Sequence, residues 1–152
     1  MGDPAPVKTV VHQWVEDCRQ GQNPRMICRL KSGWVVMGEA QFVKGYCLLL
    51  PDPVVGHLNL LSLAQRQQAL LDATRLGDAL LALTPAARIN YEILGNQEPA
   101  LHIHVCPRYD DEPAQLRTRP IFFYDWDAAP RFDAGRDGAL MAAIRAMLQE
   151  SP

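Results

Sequence analysis

Ala100-Leu101-His102-Ile103-His104-Val105-Cys106-Pro107-Arg108-Tyr109 sets two imidazoles at a spacing of two inside an apolar, β-branched run. That is the period of a strand, on which successive side chains point to opposite faces. Leu101, Ile103 and Val105 are expected on a core face, with Ala100, His102, His104 and Cys106 lined up on the other. Burying two imidazoles without partners is costly, whereas a neutral imidazole serves as a nucleophile or a metal ligand. The pair therefore marks a candidate site, set against the plainer reading of two satisfied surface or core groups.

The flanking sequence supplies the rest of a sheet and its helices. Val11, Trp14, Val15 and Cys18 recur at spacings of three and four, predicting a short helix near residues 10–19. Residues 26–31 and 34–37 read as strands turning at Ser32-Gly33, and 46–50 as a third strand after the Lys44-Gly45 turn. Ser62 and Gln65 have the spacing of a capping box at the start of a long helix. Its apolar positions Ala69, Ala73, Leu76, Leu80 and Leu83 form one stripe, and Thr84-Pro85 ends it. Gly77 within that helix costs about 1 kcal/mol against alanine, which argues for a close contact there. Residues 88–94 then read as a fourth strand, 95–99 as a turn and 100–106 as a fifth, so the histidine strand is one arm of a hairpin.

Beyond Arg108 the composition changes. Asp110-Asp111-Glu112-Pro113 is a polar loop, and 120–133 carries Ile121, Phe122, Phe123, Tyr124 and Trp126 among prolines and acids. Such aromatics are expected to pack on the domain or on a second copy. Leu140, Met141, Ile144, Met147 and Leu148 form the stripe of a final helix, with Asp137 as its expected cap. The sequence thus predicts a single α+β domain over 1–152, with a core over 10–109 and a C-terminal arm and helix over 110–152.

The composition is that of one globular domain: 152 residues, 48% hydrophobic and 21% charged. A formal net charge of -2 leaves no basic face for nucleic acid. MGDPAPVKTVVHQWVED lacks the order of a signal peptide, and no apolar run approaches the roughly 20 residues of a membrane helix, so a cytoplasmic protein off the membrane is expected. Gly2 suggests myristoylation, but Pro6 stands where that motif needs Ser or Thr. Cys18, Cys28, Cys47 and Cys106 form no Cys-x-x-Cys pair and are expected to be free, buried thiols.

With Asn90-Tyr91-Glu92-Ile93-Leu94-Gly95-Asn96-Gln97-Glu98-Pro99 before it, the 100–109 stretch resembles the histidine triad superfamily of nucleotide hydrolases and transferases. The signature of that family is His-φ-His-φ-His-φ-φ, with φ apolar. Ala100 stands at the first histidine position, His102 at the middle one and His104 at the last. Gly45-Tyr46-Cys47-Leu48-Leu49-Leu50-Pro51 is similar to the family's Gly-His-x-Leu-x-x-Pro strand, with Tyr46 in place of its histidine. The resemblance covers most of residues 26–109.

The resemblance implies a HIT-like fold with a five-stranded antiparallel sheet. It also implies that His102 attacks the α-phosphate of a small nucleotide to form a covalent nucleotidyl-histidine, which water hydrolyses. The ring would be oriented by the backbone carbonyl at Ala100, which the loss of that histidine leaves in place. Losing imidazoles at Ala100 and Tyr46 takes charge from the phosphate pocket. The family's ribose carboxylate falls at Gly38, so Glu39 would substitute for it. Amides around 95–97 and the side chains of Asn96 and Gln97 would meet the phosphate, and His104 would donate to it or to the leaving group. Asn90 would either contact the nucleotide or satisfy strand-end backbone. A homodimer and no cofactor are implied.

Other residues are read without the family. Arg108 is expected in a salt bridge to Asp110 or Glu112, and His12 and His57 at solvated surface positions. Two rivals to the hydrolase remain. In a metal site, His102, His104 and Cys106 would be ligands, but residues four apart on a strand are about 13 Å from end to end and cannot converge without bending it. The other is a nucleotide-binding module without catalysis.

Overall fold

In the computed structural model, which describes residues 7–150, five strands form one antiparallel sheet. They are β1 (Met26–Arg29), β2 (Gly33–Met37), β3 (Cys47–Pro51), β4 (Arg88–Glu92) and β5 (Ile103–Arg108), in the spatial order β1-β2-β3-β5-β4. The helices are α1 (Val10–Arg19), α2 (Leu63–Leu83), the single-turn α3 (Ala114–Arg117) and α4 (Ala134–Glu150). Gly2 and Pro6, on which the myristoylation reading rests, lie outside the described residues. Among the described residues, no helix is long and apolar enough to cross a membrane.

After β3 the chain crosses through α2 to the sheet edge, lays down β4, and returns as β5 between β4 and β3. The histidine strand is therefore interior, paired on both sides: Leu48 faces His104 from β3, and Glu92 faces it from β4. Val36 pairs with Leu48 in turn, so Val36, Leu48, His104 and Glu92 form one row across the sheet. Residues paired across strands share a face. The alternation read from the sequence thus puts the imidazoles on one face and Leu101, Ile103 and Val105 on the other.

Each face is covered by its own layer. Ile103 and Val105 are fully buried with Leu76 and Leu80 of α2 and Ile144 of α4. On the histidine face, Val11 and Val15 of α1 and Ile121 of the C-terminal arm pack with Leu48, Leu50 and Cys106. Full burial of such aliphatic side chains contributes about 1.5–3 kcal/mol each. The four cysteines are buried free thiols, and burial raises the pKa of each.

α2 begins where the capping box requires. Ser62 Oγ accepts the Gln65 amide at 3.2 Å, and Gln65 Oε1 accepts the Ser62 amide at 2.8 Å. Gly77 makes room for the tip of the Tyr91 side chain from β4, since a Cβ there would collide with the Tyr91 hydroxyl. Asp72, wholly buried on α2, accepts the Ser32 amide at 2.8 Å, the Ser32 hydroxyl at 2.6 Å and the Gln68 side-chain amide at 2.9 Å. It ties the β1–β2 turn to the helix.

Several boundaries differ from the sequence reading. β5 begins at Ile103 rather than residue 100, because β3 and β4 supply partners only from Ile103 and His104 onward, and the Leu101 amide bonds the Val55 carbonyl instead. It continues through Pro107 to Arg108. β4 stops at Glu92 and β1 at Arg29. Asp137 is not the cap of α4. Asp133 takes that role, accepting the Arg136 amide at 2.7 Å, while Asp137 sits inside the first turn and accepts the Asp133 amide. His12 is not a solvated surface group: half-buried, it completes a capping box, its Nδ1 accepting the Thr9 amide at 3.0 Å. His57 is exposed.

Asp72→Ala leaves the Ser32 amide and hydroxyl without their buried acceptor, and is expected to cost about 2–3 kcal/mol in urea-unfolding stability. A loss below about 0.5 kcal/mol, the range of an ordinary surface substitution, would mean that the tether carries no weight.

Candidate active site

His102 precedes the first residue of β5, where the chain is about to enter the sheet, and its ring turns back on its own backbone. Nδ1 lies 2.6 Å from the Ala100 carbonyl oxygen. A carbonyl only accepts, so Nδ1 carries the hydrogen, and in the neutral ring Nε2 carries the lone pair. The His104 ring stands 4.7 Å away, centroid to centroid, and nearly perpendicular at 77°. Both rings line a cleft of about 680 Å³.

His104 is gripped by aromatic side chains. Its Nδ1 is 2.6 Å from the Tyr46 hydroxyl, Tyr46 stacks on it at 5.9 Å, and Phe122 meets it edge-on at 5.2 Å. Burial, reinforced by His102, drives the His104 pKa down to about 3, so the ring is neutral at ordinary pH. Burial also raises the Tyr46 pKa, which keeps its hydroxyl protonated. A hydroxyl that donates to Nδ1 leaves the hydrogen of the neutral His104 ring on Nε2. In that tautomer Nε2–H is a hydrogen-bond donor.

The hairpin loop and the strand ends place most of the expected site residues on this cleft. Tyr46, Glu39, Asn96 and Gln97 line it, and Ala100 contributes its carbonyl. Asn90 does not line it. It pairs with Cys106 in the middle of β4, two positions along the strand from Glu92, the partner of His104. Among the described residues, no group of three His, Cys, Asp or Glu side chains converges as a metal site would require.

The C-terminal arm supplies a wall that the motifs did not reveal. Phe122 and Trp126 line the cleft, stacked on each other at 5.5 Å, and Phe42 packs edge-on to Trp126 at 4.2 Å. The arm is held by Arg108, buried at the end of β5. Its guanidinium bonds Glu112 at 3.0 to 3.1 Å and the carbonyls of Arg119 at 2.6 Å and Leu116 at 3.0 Å. Glu112 also accepts the Tyr124 hydroxyl and the Tyr109 amide, both at 2.7 Å. Burial pushes the Glu112 carboxyl up, but these hydrogen bonds outweigh it and leave the pKa below the usual range. Of the two partners expected for Arg108, the structure selects Glu112.

Glu92 was also missed, although the hairpin register sets it beside His104. Its Oε2 is buried with no hydrogen-bond partner among the described residues, and burial raises the carboxyl pKa. A second cleft, about 760 Å³, lies between the start of α2 and the 51–61 loop. Among the described residues its lining contains no histidine or cysteine.

No protein-family model matches the sequence, and no curated protein matches it. Solved structures do. A histidine triad protein from Marinobacter aquaeolei superimposes with a TM-score of 0.71 at 19% identity, covering 82% of this chain and 88% of that one. The fold is that of the histidine triad proteins. A second such protein, from Bradyrhizobium japonicum, gives 0.70 at 23% identity over 86% of this chain and 94% of its own. A hypothetical histidine triad nucleotide-binding protein from Sulfolobus tokodaii gives 0.70 at 10% identity, covering 90% and 91%. This chain shares their five-stranded antiparallel sheet with packed helices.

The neutral His104 carries a cost in acid. In the unfolded chain an imidazole titrates near pH 6.5. Between that pH and about 3 the unfolded state binds a proton that the folded state refuses. Stability therefore falls as pH drops through this window, by up to about 1.4 kcal/mol per pH unit, and His104 contributes no pH dependence above it. Urea midpoints between pH 7 and 4 should fall less steeply for His104→Phe than for the unaltered protein. Equal slopes would contradict the buried, uncharged ring.

Proposed function

We propose that the protein is a histidine triad enzyme that hydrolyses or transfers the nucleotidyl group of a small nucleotide, through a covalent intermediate on His102. The reading rests on the His102 ring, whose Nδ1–H is spent on the Ala100 carbonyl at 2.6 Å, so that its lone pair is committed to Nε2 in a cleft large enough for a nucleotide. In the proposed reaction Nε2 forms a bond to the α-phosphorus, and the bond from phosphorus to the leaving group breaks with its electron pair. A phosphate or pyrophosphate leaving group departs as an anion and needs no proton. Water then attacks the same phosphorus, the P–N bond breaks, its electron pair returns to Nε2, and the water proton passes to solvent.

His104 holds a phosphate oxygen through its Nε2–H, joined by donors from Asn96 and Gln97. Glu39, on the cleft beside Ala40, takes the ribose hydroxyls. The neighbour from Sulfolobus tokodaii, described as nucleotide-binding, supports the same substrate class. The protein is further proposed to be a cytoplasmic homodimer. In support, β4 is an edge strand, with Tyr91, Ile93 and Leu94 exposed beside it, and α2 exposes Leu63, Leu70, Leu71 and Leu81. The arm gives no such support, since it packs on its own chain. Light scattering at micromolar concentration should give twice the 17.0 kDa chain mass; a monomer would contradict the dimer.

Mass spectrometry after an alkaline quench, which spares the acid-labile P–N bond, following mixing with a dinucleoside polyphosphate should find the nucleotidyl group on His102. His102→Ala should lose both adduct and turnover. His104→Ala should keep binding and lose about 10² to 10³ in rate, the cost of removing one preorganised donor to a transition-state oxygen. An adduct on His104, or full turnover in the His102 variant, would overturn the assignment. Binding without turnover on any nucleotide would favour the non-catalytic module.

A further inference from the structure

The cleft is short of positive charge for a phosphate. His104 is neutral, Tyr46 and Ala100 bring no charge, and the lining includes the carboxylates Glu39 and Glu98. A nucleotide phosphate entering a partly apolar cleft beside two carboxylates is repelled unless a cation meets it. Among the described residues, one Lys or Arg lines this cleft: Arg131, from the end of the C-terminal arm.

The backbone of Arg131 is fixed in place. Arg131 forms an antiparallel bridge with Ala40, flanked by the Gln41 amide on the Pro130 carbonyl at 2.7 Å and the Phe132 amide on the Glu39 carbonyl at 2.8 Å. The Arg136 side chain bonds the Arg131 carbonyl at 2.7 Å. The guanidinium is much less committed. It makes one bond, at 3.3 Å, from Nη2 to the Trp126 carbonyl, and among the described residues no carboxylate pairs with it. A fixed main chain carrying an unspent, planar set of donors into a cleft suits bidentate recognition of phosphate oxygens.

We infer that Arg131 is the anion-binding residue of this cleft, its guanidinium taking oxygens of the ligand's phosphoryl group. The inference rests on the nucleotide reading above and extends it to a segment outside residues 26–109, where the motifs lie. The arm then supplies the charge that imidazoles at positions 46 and 100 would have brought.

Calorimetric titration of the full chain with AMP and with adenosine separates charge recognition from other roles. Arg131→Gln should weaken AMP binding roughly 10- to 100-fold, the range for a hydrogen bond to a charged group. It should leave adenosine binding within about twofold, and Arg131→Lys should recover part of the loss because it keeps the charge without the fork. An equal loss for both ligands would mean that Arg131 serves the cleft's structure, and would overturn the inference, as would unchanged AMP binding in a protein that otherwise binds AMP. In both cases the nucleotide reading survives. A wild-type protein that binds neither ligand would overturn that reading and this inference together.

Discussion

The buried ion pair between Arg108 and Glu112 is the joint on which the candidate site turns. Arg108 ends the strand that positions His104, and Glu112 begins the loop that becomes the arm, so one contact fastens the sheet to the wall of the cleft. Taking both charges out of water costs several kcal/mol per ion, and the bidentate geometry, two carbonyls, a tyrosine hydroxyl and an amide offset it. The pair's use is less net stability than specificity: every carbonyl that Arg108 meets belongs to the arm, so the guanidinium fixes the path the arm can take. Phe122 reaches His104 because of that path.

The two imidazoles answer different demands although they stand two residues apart. His102 sits where the strand has not yet begun, so its backbone is free to present the Ala100 carbonyl to its own ring. His104 sits between paired strands, under Phe122 and against Tyr46, and burial strips it of charge. The different partners of the two Nδ1 atoms, a main-chain carbonyl on one ring and a tyrosine hydroxyl on the other, follow from this difference in surroundings.

Much of this was legible in local sequence because local forces decide it. α1 follows from its three-and-four spacing, the start of α2 from Ser62 and Gln65, and the two-faced strand from alternation at 101–105. The resemblance located His102, Ala100 and Tyr46. The rest depends on pairs distant in the chain. Where β5 starts depends on how far β3 and β4 run, so residues 100–102, strand-like in composition, stay outside the sheet. The nearness of Glu92 to His104 is a matter of register. Phe122, Trp126 and Arg131 join the cleft only because Arg108 folds the arm back, and nothing in their own neighbourhood announces it. Asp133 and Asp137 are each chemically able to cap a helix, and their sequence does not say which one stands at the end.

The restraint on His102 has a genetic consequence. Its partner is a main-chain oxygen, which every amino acid carries, so no codon change at position 100 deletes the group that orients the ring. The restraint on His104 is encoded in a side chain, and one base change from tyrosine to phenylalanine at position 46 would remove it. The two rings therefore drift under different rules. Lineages can exchange the residue at 100 and keep the orientation of His102, while the hydrogen bond on His104 Nδ1 lasts only as long as a hydrogen-bonding residue remains at 46.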